Sequence, residues 1–477
     1  MKFVVSDNIS HNDVQVMAQV FFHHIGFELV EDVPNDGLCL AVEKTDDGSV
    51  FAGLFRDCHM IHHAQSPPRV AGDTEAKPVA LAIHQVLSAF TGYKPPWGLL
   101  TGIRPAKLIT ASLAKGLDKV HAVADMSARY LVEQSKALLC ADVAEVQGRI
   151  MATSPQNAIS IYIGIPFCPT ICHYCSFSAY PVQRFKGRMD GYVQALVKEI
   201  HHLGQVSRGK FVENIYIGGG TPTALDDDNF QILLDAVARS FDVPNVVEYT
   251  VEAGRPDTIT KSKLTMMKER GVTRISINPQ TLKQDTLDKI GRGHTVGEFF
   301  DAYKLAQDAG FDHINIDLIL GLTDETEKDV KHTIDGILTL APKSVTVHTL
   351  AIKRASKLKE DLETFEKTDY TILEEMLTVT AQNMTKAELI PYYLYRQKNS
   401  PGNFENVGYA KAGYEGRYNI HMMEEVRSVY AAGCGAISKL VDTNSGRIDR
   451  IVNLRDLDQY IQRIDEIIAR KELALGE

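Results

Sequence analysis

Ile159-Ser-Ile-Tyr-Ile-Gly-Ile165-Pro-Phe-Cys168-Pro-Thr-Ile-Cys172-His-Tyr-Cys175 decides how the rest of this chain is read. An apolar run with β character ends in a loop that carries three thiols at C-x3-C-x2-C spacing. Cubane iron–sulfur clusters are usually held by four thiolates, so a loop with three leaves one iron open to bind something that reacts. A zinc site is the alternative, but it would call for a fourth Cys or His at finger or ribbon spacing. His173 adjoins Cys172 and tends to point elsewhere. Three unrelated buried thiols are the remaining reading.

From Ala158 onward strand-like and helix-like patterns alternate, the signature of βα units and a parallel sheet. Strands are predicted at Ile159–Ile165, Asn214–Ile217, Val247–Ala253, Thr273–Ile277, His313–Leu318 and Val345–Thr349. Helical periodicity occupies Asp190–His201, Asp227–Ser240, Thr258–Arg270, Gly297–Ala309 and Glu325–Leu340. Six units fall short of a closed eight-stranded barrel and predict an open (β/α)6 partial barrel over 155–350, with the thiol loop at a C-terminal strand end, where barrels carry their chemistry. Residues 1–150 read as a separate α+β domain. It has a helix at Asn12–Phe22, a hairpin from Leu38 to Phe55 turning at Asp46-Asp47-Gly48, and helices near Pro78–Thr91 and Ser127–Cys140. Its Pro95-Pro96-Trp97-Gly98 segment holds the single Trp, read as packed or as a functional loop. Residues 351–477 form a C-terminal α+β extension, with helices predicted at Tyr370–Ala387 and Leu454–Arg470.

The 477 residues are 44% hydrophobic and 23% charged, enough to bury more than one core. A net charge of −10 argues against broad nucleic-acid binding. No apolar stretch reaches the ~20 residues of a membrane span, and the first residues turn polar too early for a secretory signal, so a cytoplasmic protein is expected. Seven cysteines, three of them clustered, suit a reducing compartment.

Several further strand ends bear polar or flexible groups. Gly218-Gly219-Gly220-Thr221-Pro222-Thr223 lacks the Gly-Lys-Ser/Thr ending of a phosphate loop, but its glycines permit close backbone approach to a ligand. Glu252, Gln280 and Asp317 each sit at or near the end of an apolar strand, where a polar group is costly unless it is paired or meets a ligand. Arg292 in Gly291-Arg292-Gly293-His294 offers a bidentate fork to a carboxylate, or is a solvated loop arginine.

Together these runs resemble the oxygen-independent coproporphyrinogen III oxidase superfamily of radical S-adenosylmethionine (SAM) enzymes. The resemblance is carried by Tyr162-x3-Pro-Phe-Cys168-x3-Cys172-x-Tyr174-Cys175, Gly218–Thr223, Arg274-Ile-Ser-x3-Gln280, Asp317-Leu-Ile-x-Gly-Leu322 and Ala436-Ile-Ser438. Arg396-Gln-Lys-Asn-x2-Gly-Asn-x-Glu-Asn-Val-Gly-Tyr409 and the Pro-Trp-Gly-x-Leu-Thr-Gly-x-Arg-Pro segment are similar to the HemZ branch, also called coproporphyrinogen dehydrogenase. The resemblance implies that Cys168, Cys172 and Cys175 hold a 4Fe-4S cluster. It implies one SAM lined by Tyr162, Gly219, Thr221, Glu252 and Ile437, and positions for a second at Tyr174, Gly220, Gln280, Arg292, Asp317 and Ala351. It implies oxidative decarboxylation of coproporphyrinogen III propionates to the vinyl groups of protoporphyrinogen IX. The partners implied are a tetrapyrrole substrate and an electron donor such as flavodoxin or ferredoxin. For a tetracarboxylate, Lys353, Arg354, Arg396, Lys398 and Arg417 are candidate cations, with surface solvation as the alternative.

The chain departs from the oxidase at Gly164, where the oxidase has His, at Ser176-Phe177 in place of a further Cys, and in lacking an Arg-Tyr-Thr-Ser-Tyr-Pro segment. Related haem chaperones share Phe after the third Cys and an Arg-x-Asn segment like Arg417-Tyr418-Asn419, but their His-Asn-Arg-Arg pattern is absent. Methyl or adenosyl transfer by the same radical chemistry, and haem binding and delivery, stay open as alternatives.

Overall fold

The computed structural model describes residues 1–22, 26–70, 73–74, 76–102, 104–175, 179–350, 370–397, 401–443 and 445–475. The chain forms two compact units, Met1–Ala144 with Tyr395–Glu405, and Glu145–Leu394 with Asn406–Glu477. Residues after the parallel strands therefore divide between the units rather than forming a block of their own.

The first unit is built on a five-stranded sheet in the order β2-β1-β3-β4-β5, from β1 (Lys2–Val5), β2 (Glu28–Leu29), β3 (Leu38–Lys44), β4 (Val50–Arg56) and β5 (His59–Ser66). β3 and β4 form the expected hairpin. Gly48 in its turn adopts φ 84°, a left-handed conformation that glycine takes without steric cost. Alternation in these strands places Leu40, Val42, Val50, Ala52 and Leu54 in one core with Val14, Met17, Ala82, Ile83 and Val86 from the helices His11–Phe21 and Ala76–Thr91. The single helix read over Ser127–Cys140 is in fact two, Lys119–Tyr130 and Gln134–Ala152. Leu131 ends the first in a left-handed conformation (φ 56°), a break that apolar periodicity does not register.

In the second unit six parallel strands run in sequence order as neighbours: β6 (Ala158–Ile165), β9 (Phe211–Gly219), β10 (Glu248–Glu252), β11 (Arg274–Ser276), β12 (His313–Leu320) and β13 (Ser344–Thr349). β7 (Phe167–Cys168) and β8 (Tyr180–Pro181) pair in the thiol loop. This is the open α/β partial barrel that the sequence predicts. The sheet continues on both sides of these six strands, beyond what the alternating pattern predicts. β14 (Ile390–Arg396) and β15 (Glu405–Ala410) extend one edge, with β15 antiparallel to β13. On the other edge β16 (Ser428–Ala432) lies parallel to β6 and is followed by β17 (Ile437–Val441) and β18 (Ile448–Val452). The closing helix expected at Leu454–Arg470 is two, Leu457–Gln462 and Ile464–Leu475.

Period-two alternation sorts the parallel strands into unlike faces. Ile161, Ile163, Ile215, Ile217, Val251, Ile275, Ile316 and Val345 are fully buried, each contributing roughly 1.5–3 kcal/mol of hydrophobic burial. The intervening positions read Ser160, Tyr162, Asn214, Tyr216, Glu248, Thr250, Glu252, Arg274, Ser276, Asn315, Asp317 and Thr346. The polar face therefore has to satisfy its own hydrogen bonds or meet a ligand. Helix starts are fixed locally: Asp226, Thr260 and Thr295 accept from backbone N–H groups three residues on, and Thr295 with Glu298 completes a capping box.

Candidate active site at the strand ends

Cys168 is the last residue of β7, and the loop beyond it carries Cys172 and Cys175. Cys168 and Cys172 are buried, and Cys175 is partly exposed. Backbone hydrogen bonds clamp the loop to the glycine turn, from Gly220 N–H to the Ile165 carbonyl (2.7 Å) and from Thr221 N–H to the Phe167 carbonyl (2.7 Å). A Cβ on Gly220 would lie 2.6 Å from the Phe167 carbonyl oxygen and 3.0 Å from Cys168 Sγ, so glycine is required for the two segments to approach. Burial pushes the Cys168 thiol up to about 11, opposed by the Thr221 hydroxyl 3.5 Å from its sulfur. Among the described residues, no three His, Cys, Asp or Glu side chains are gathered into a single-ion site.

The far side of the loop rests on Ile290 and Gly291. His173 N–H donates to the Ile290 carbonyl (2.9 Å), and Thr170 Oγ1 donates to the Gly291 carbonyl (3.4 Å). Arg292, buried, is no solvated loop arginine. Its Nη1 donates to the Tyr174 hydroxyl (2.9 Å) and approaches Cys172 Sγ (3.8 Å), while Nη2 donates to the carbonyls of Gly254 (2.6 Å) and Asn278 (2.5 Å). One side chain thus ties the thiol loop to the ends of β10 and β11. Tyr174 packs its ring against Leu287, Ile290, Ile319, Leu322 and Leu350.

Glu252 accepts from the Tyr216 hydroxyl and from Gly219 N–H (3.1 Å). Burial raises its carboxyl to about 7 against those hydrogen bonds, and the like charge of Asp317 adds to the rise. Asp317 is held by two side-chain amides, Asn278 Nδ2 at 2.8 Å and Asn315 Nδ2 at 2.7 Å, and lies 4.0 Å from His348 Nε2. Tyr162 stacks with Tyr216 on the neighbouring strand β9 (6.3 Å) and with Tyr418 of the helix Arg417–Glu424 (6.2 Å). Gln280 has φ 72° and bridges to Leu318, and its buried Oε1 lacks a hydrogen-bond partner among the described residues, as does Ser276 Oγ on the polar face. These orphaned acceptors, the glycine cradle and the thiol donor set fit a polar ligand seated beside a cluster.

The expected site residues thus fall into linked groups: Cys168, Gly220 and Thr221; Cys172, Tyr174 and Arg292; Gly219 and Glu252; with Asp317 and Gln280 joined through backbone. Ile437 lies on β17, two strands out from β6, and is 38% exposed. Ala351, Lys353, Arg354 and Lys398 lie outside the described residues. Two of the candidate cations, Arg417 and Arg396, lie away from the strand-end site. Arg417 pairs with the fully buried Glu213 (2.6 Å) near the N-terminal ends of the strands, opposite the thiol loop. Arg396 is buried in the first unit, where it donates to the carbonyls of Leu100 (2.6 Å) and Asn403 (2.7 Å) over the Trp97 ring. Tyr216, Asn278 and Arg255 join the site without a sequence motif to mark them. Tyr216 lies on β9 two residues before the glycine turn, and Asn278 lies just beyond β11 two residues before Gln280, a spacing that inner-face alternation would have exposed.

Residues 162–337 match the Radical SAM superfamily model. Sheet, thiol loop and this match together define a radical SAM protein. At 22% identity and a TM-score of 0.52, covering 68% of this chain and 72% of the other, the fold is that of the structure described as "Coproporphyrinogen III oxidase (HemN) from Escherichia coli is a Radical SAM enzyme". The chain belongs to the HemZ family of oxygen-independent coproporphyrinogen-III oxidase-like proteins, being 37% identical over 98% of its length and 96% of the relative's to the HemZ of Bacillus subtilis (strain 168). It is also 30% identical to the heme chaperone HemW of the same organism, over 64% of this chain and 76% of the relative.

Proposed function

We propose that the chain is a radical SAM enzyme of tetrapyrrole metabolism that oxidatively decarboxylates the propionates of coproporphyrinogen III to vinyl groups without oxygen. The observation that carries this reading is the end-to-end likeness to an oxygen-independent coproporphyrinogen-III oxidase-like protein, which extends through the first unit as well as the barrel. In this reading Cys168, Cys172 and Cys175 hold a 4Fe-4S cluster through thiolates. A bound cluster with SAM would supply one-electron cleavage of the sulfonium and a 5′-deoxyadenosyl radical able to take hydrogen from a propionate carbon.

The chain's own residues bind, orient and shield. Gly219 and Gly220 bring backbone within reach of the methionine end of the cofactor. Glu252, fixed by Tyr216 and Gly219, supplies a carboxylate for a cationic ligand, and Tyr162 supplies an aromatic wall. Arg292 locks Tyr174 in place, and Asp317 and Gln280 present acceptors for a second nucleoside. An electron donor such as flavodoxin or ferredoxin completes the reaction in the cytoplasm. Among the described residues no helix is long and apolar enough to cross a membrane.

The likeness to HemW favours a second reading, haem binding and delivery. Anaerobic incubation with dithionite, SAM and coproporphyrinogen III, read by mass spectrometry, separates the two. Vinyl product with 5′-deoxyadenosine supports the oxidase, whereas stoichiometric haem binding without turnover supports the chaperone. Cys172→Ala is expected to abolish both the visible absorbance of the cubane and 5′-deoxyadenosine formation; full activity in that variant would overturn the assignment.

A further inference from the structure

Two guanidinium groups, not one, converge on the middle cysteine. Arg255 follows β10 in Gly254-Arg255-Pro256-Asp257 and is 3% exposed. Its Nε and Nη2 donate to the two oxygens of Asp257, at 2.9 and 2.8 Å. That fork aims the remaining terminal nitrogen, Nη1, at Thr170 Oγ1 (3.0 Å) and at Cys172 Sγ (3.8 Å), the sulfur that Arg292 Nη1 also approaches at 3.8 Å. A Cβ on Gly293 would stand 3.3 Å from Arg255 Nη2, so the backbone of the Arg292 loop gives the second guanidinium its space.

We propose that Arg255 is a positioning residue for the cluster: oriented by Asp257, it donates to the Cys172 thiolate and, together with Arg292, makes the cluster easier to reduce. The inference rests on reading the three cysteines as cubane ligands. Adding an electron increases the negative charge on the cluster and its thiolates. Buried cations and N–H donors at the sulfur stabilise that state more than the oxidised one, which raises the reduction potential. Arginine keeps its charge at all working pH values, so the effect is constant, and its planar fork lets one group serve carboxylate and sulfur together. Asp257, with 24% side-chain exposure, offsets part of the positive charge and fixes its direction.

The test uses the full chain reconstituted anaerobically with iron and sulfide. The reduced cluster is followed by electron paramagnetic resonance during titration with dithionite, without SAM or substrate. Arg255→Gln is expected to lower the ratio of reduced to oxidised cluster at a fixed potential about tenfold, ~59 mV for a one-electron couple. Asp257→Asn removes the offsetting charge and is expected to shift the ratio upward. An unchanged midpoint in Arg255→Gln, or shifts of the same sign in both variants, would overturn the proposal. Should Arg255→Gln lose its circular dichroism spectrum, Asp257→Asn decides alone: an upward shift supports the proposal, and no shift or a downward one overturns it. Wild-type protein that assembles no cubane would instead remove the reading beneath the proposal, an outcome distinct from a normal cubane whose potential ignores both substitutions.

Discussion

At the scale of single residues, burial sets the behaviour of two glutamates. Glu252 titrates near 7 in the free chain because its desolvation outweighs the hydrogen bonds from Tyr216 and Gly219. In its proposed role beside a sulfonium ligand the ionised form is favoured, so SAM is expected to bind roughly tenfold more tightly at pH 8 than at pH 6, the ratio of ionised fractions about a pKa of 7. Isothermal titration calorimetry across that range checks it, and Glu252→Gln is expected to flatten the dependence. Glu325, beside Thr281 and Thr333, is likewise raised to about 7 by burial. The unfolded chain releases this proton from about pH 4.5, whereas the folded chain keeps it to about 7, so stability falls as pH rises between the two. Glu325→Gln is therefore expected to stabilise the protein by up to ~3 kcal/mol at pH 8, with the gain vanishing below pH 4.5, read by urea unfolding. Neither shift is visible in sequence, because Glu325 sits among ordinary helix-start residues and only the packed strands around it remove its water.

At the scale of elements, the short segment Tyr395–Glu405 gives the first unit a buried polar anchor. Glu405 accepts from Trp97 Nε1 (2.8 Å) and pairs with Lys136, holding its carboxyl below the usual range despite burial. Breaking such a pair strands a buried charge, so Lys136→Met is expected to cost ~3–5 kcal/mol, seen as a lowered melting transition in calorimetry. The packed reading of Trp97 follows the rule that a buried indole finds an acceptor, but the acceptor lies 308 positions away along the chain and has no local signature. Element types were more legible than their limits. The six parallel strands announced themselves as short apolar runs, whereas the break at Leu131 and the split of the closing helix depend on single residues whose conformations no periodicity encodes.

At the scale of the whole molecule, β16 extends the parallel sheet beyond β6 and is fastened by Glu199, which is fully buried. Its carboxylate accepts from Gly433 N–H (2.8 Å), the Tyr460 hydroxyl (2.5 Å), Asn453 Nδ2 (2.8 Å) and Lys471 Nζ (2.5 Å). Lys471→Met is expected to destabilise the second unit by ~3–5 kcal/mol, and adding Glu199→Gln to recover part of that loss, measured as a double-mutant cycle in urea. The parallel α/β architecture, the thiol loop at its first strand end and the glycine turn beside it are written in residue order, because spacing along the chain fixes which residues can share a loop or a face. Packing, by contrast, brings Arg255 and Arg292 to one sulfur, turns Arg417 to Glu213 at the opposite end of the strands, and gathers four donors from distant segments on Glu199. Such pairings follow from which buried charges lie close enough to compensate one another, a matter of three-dimensional distance that one-dimensional spacing leaves open.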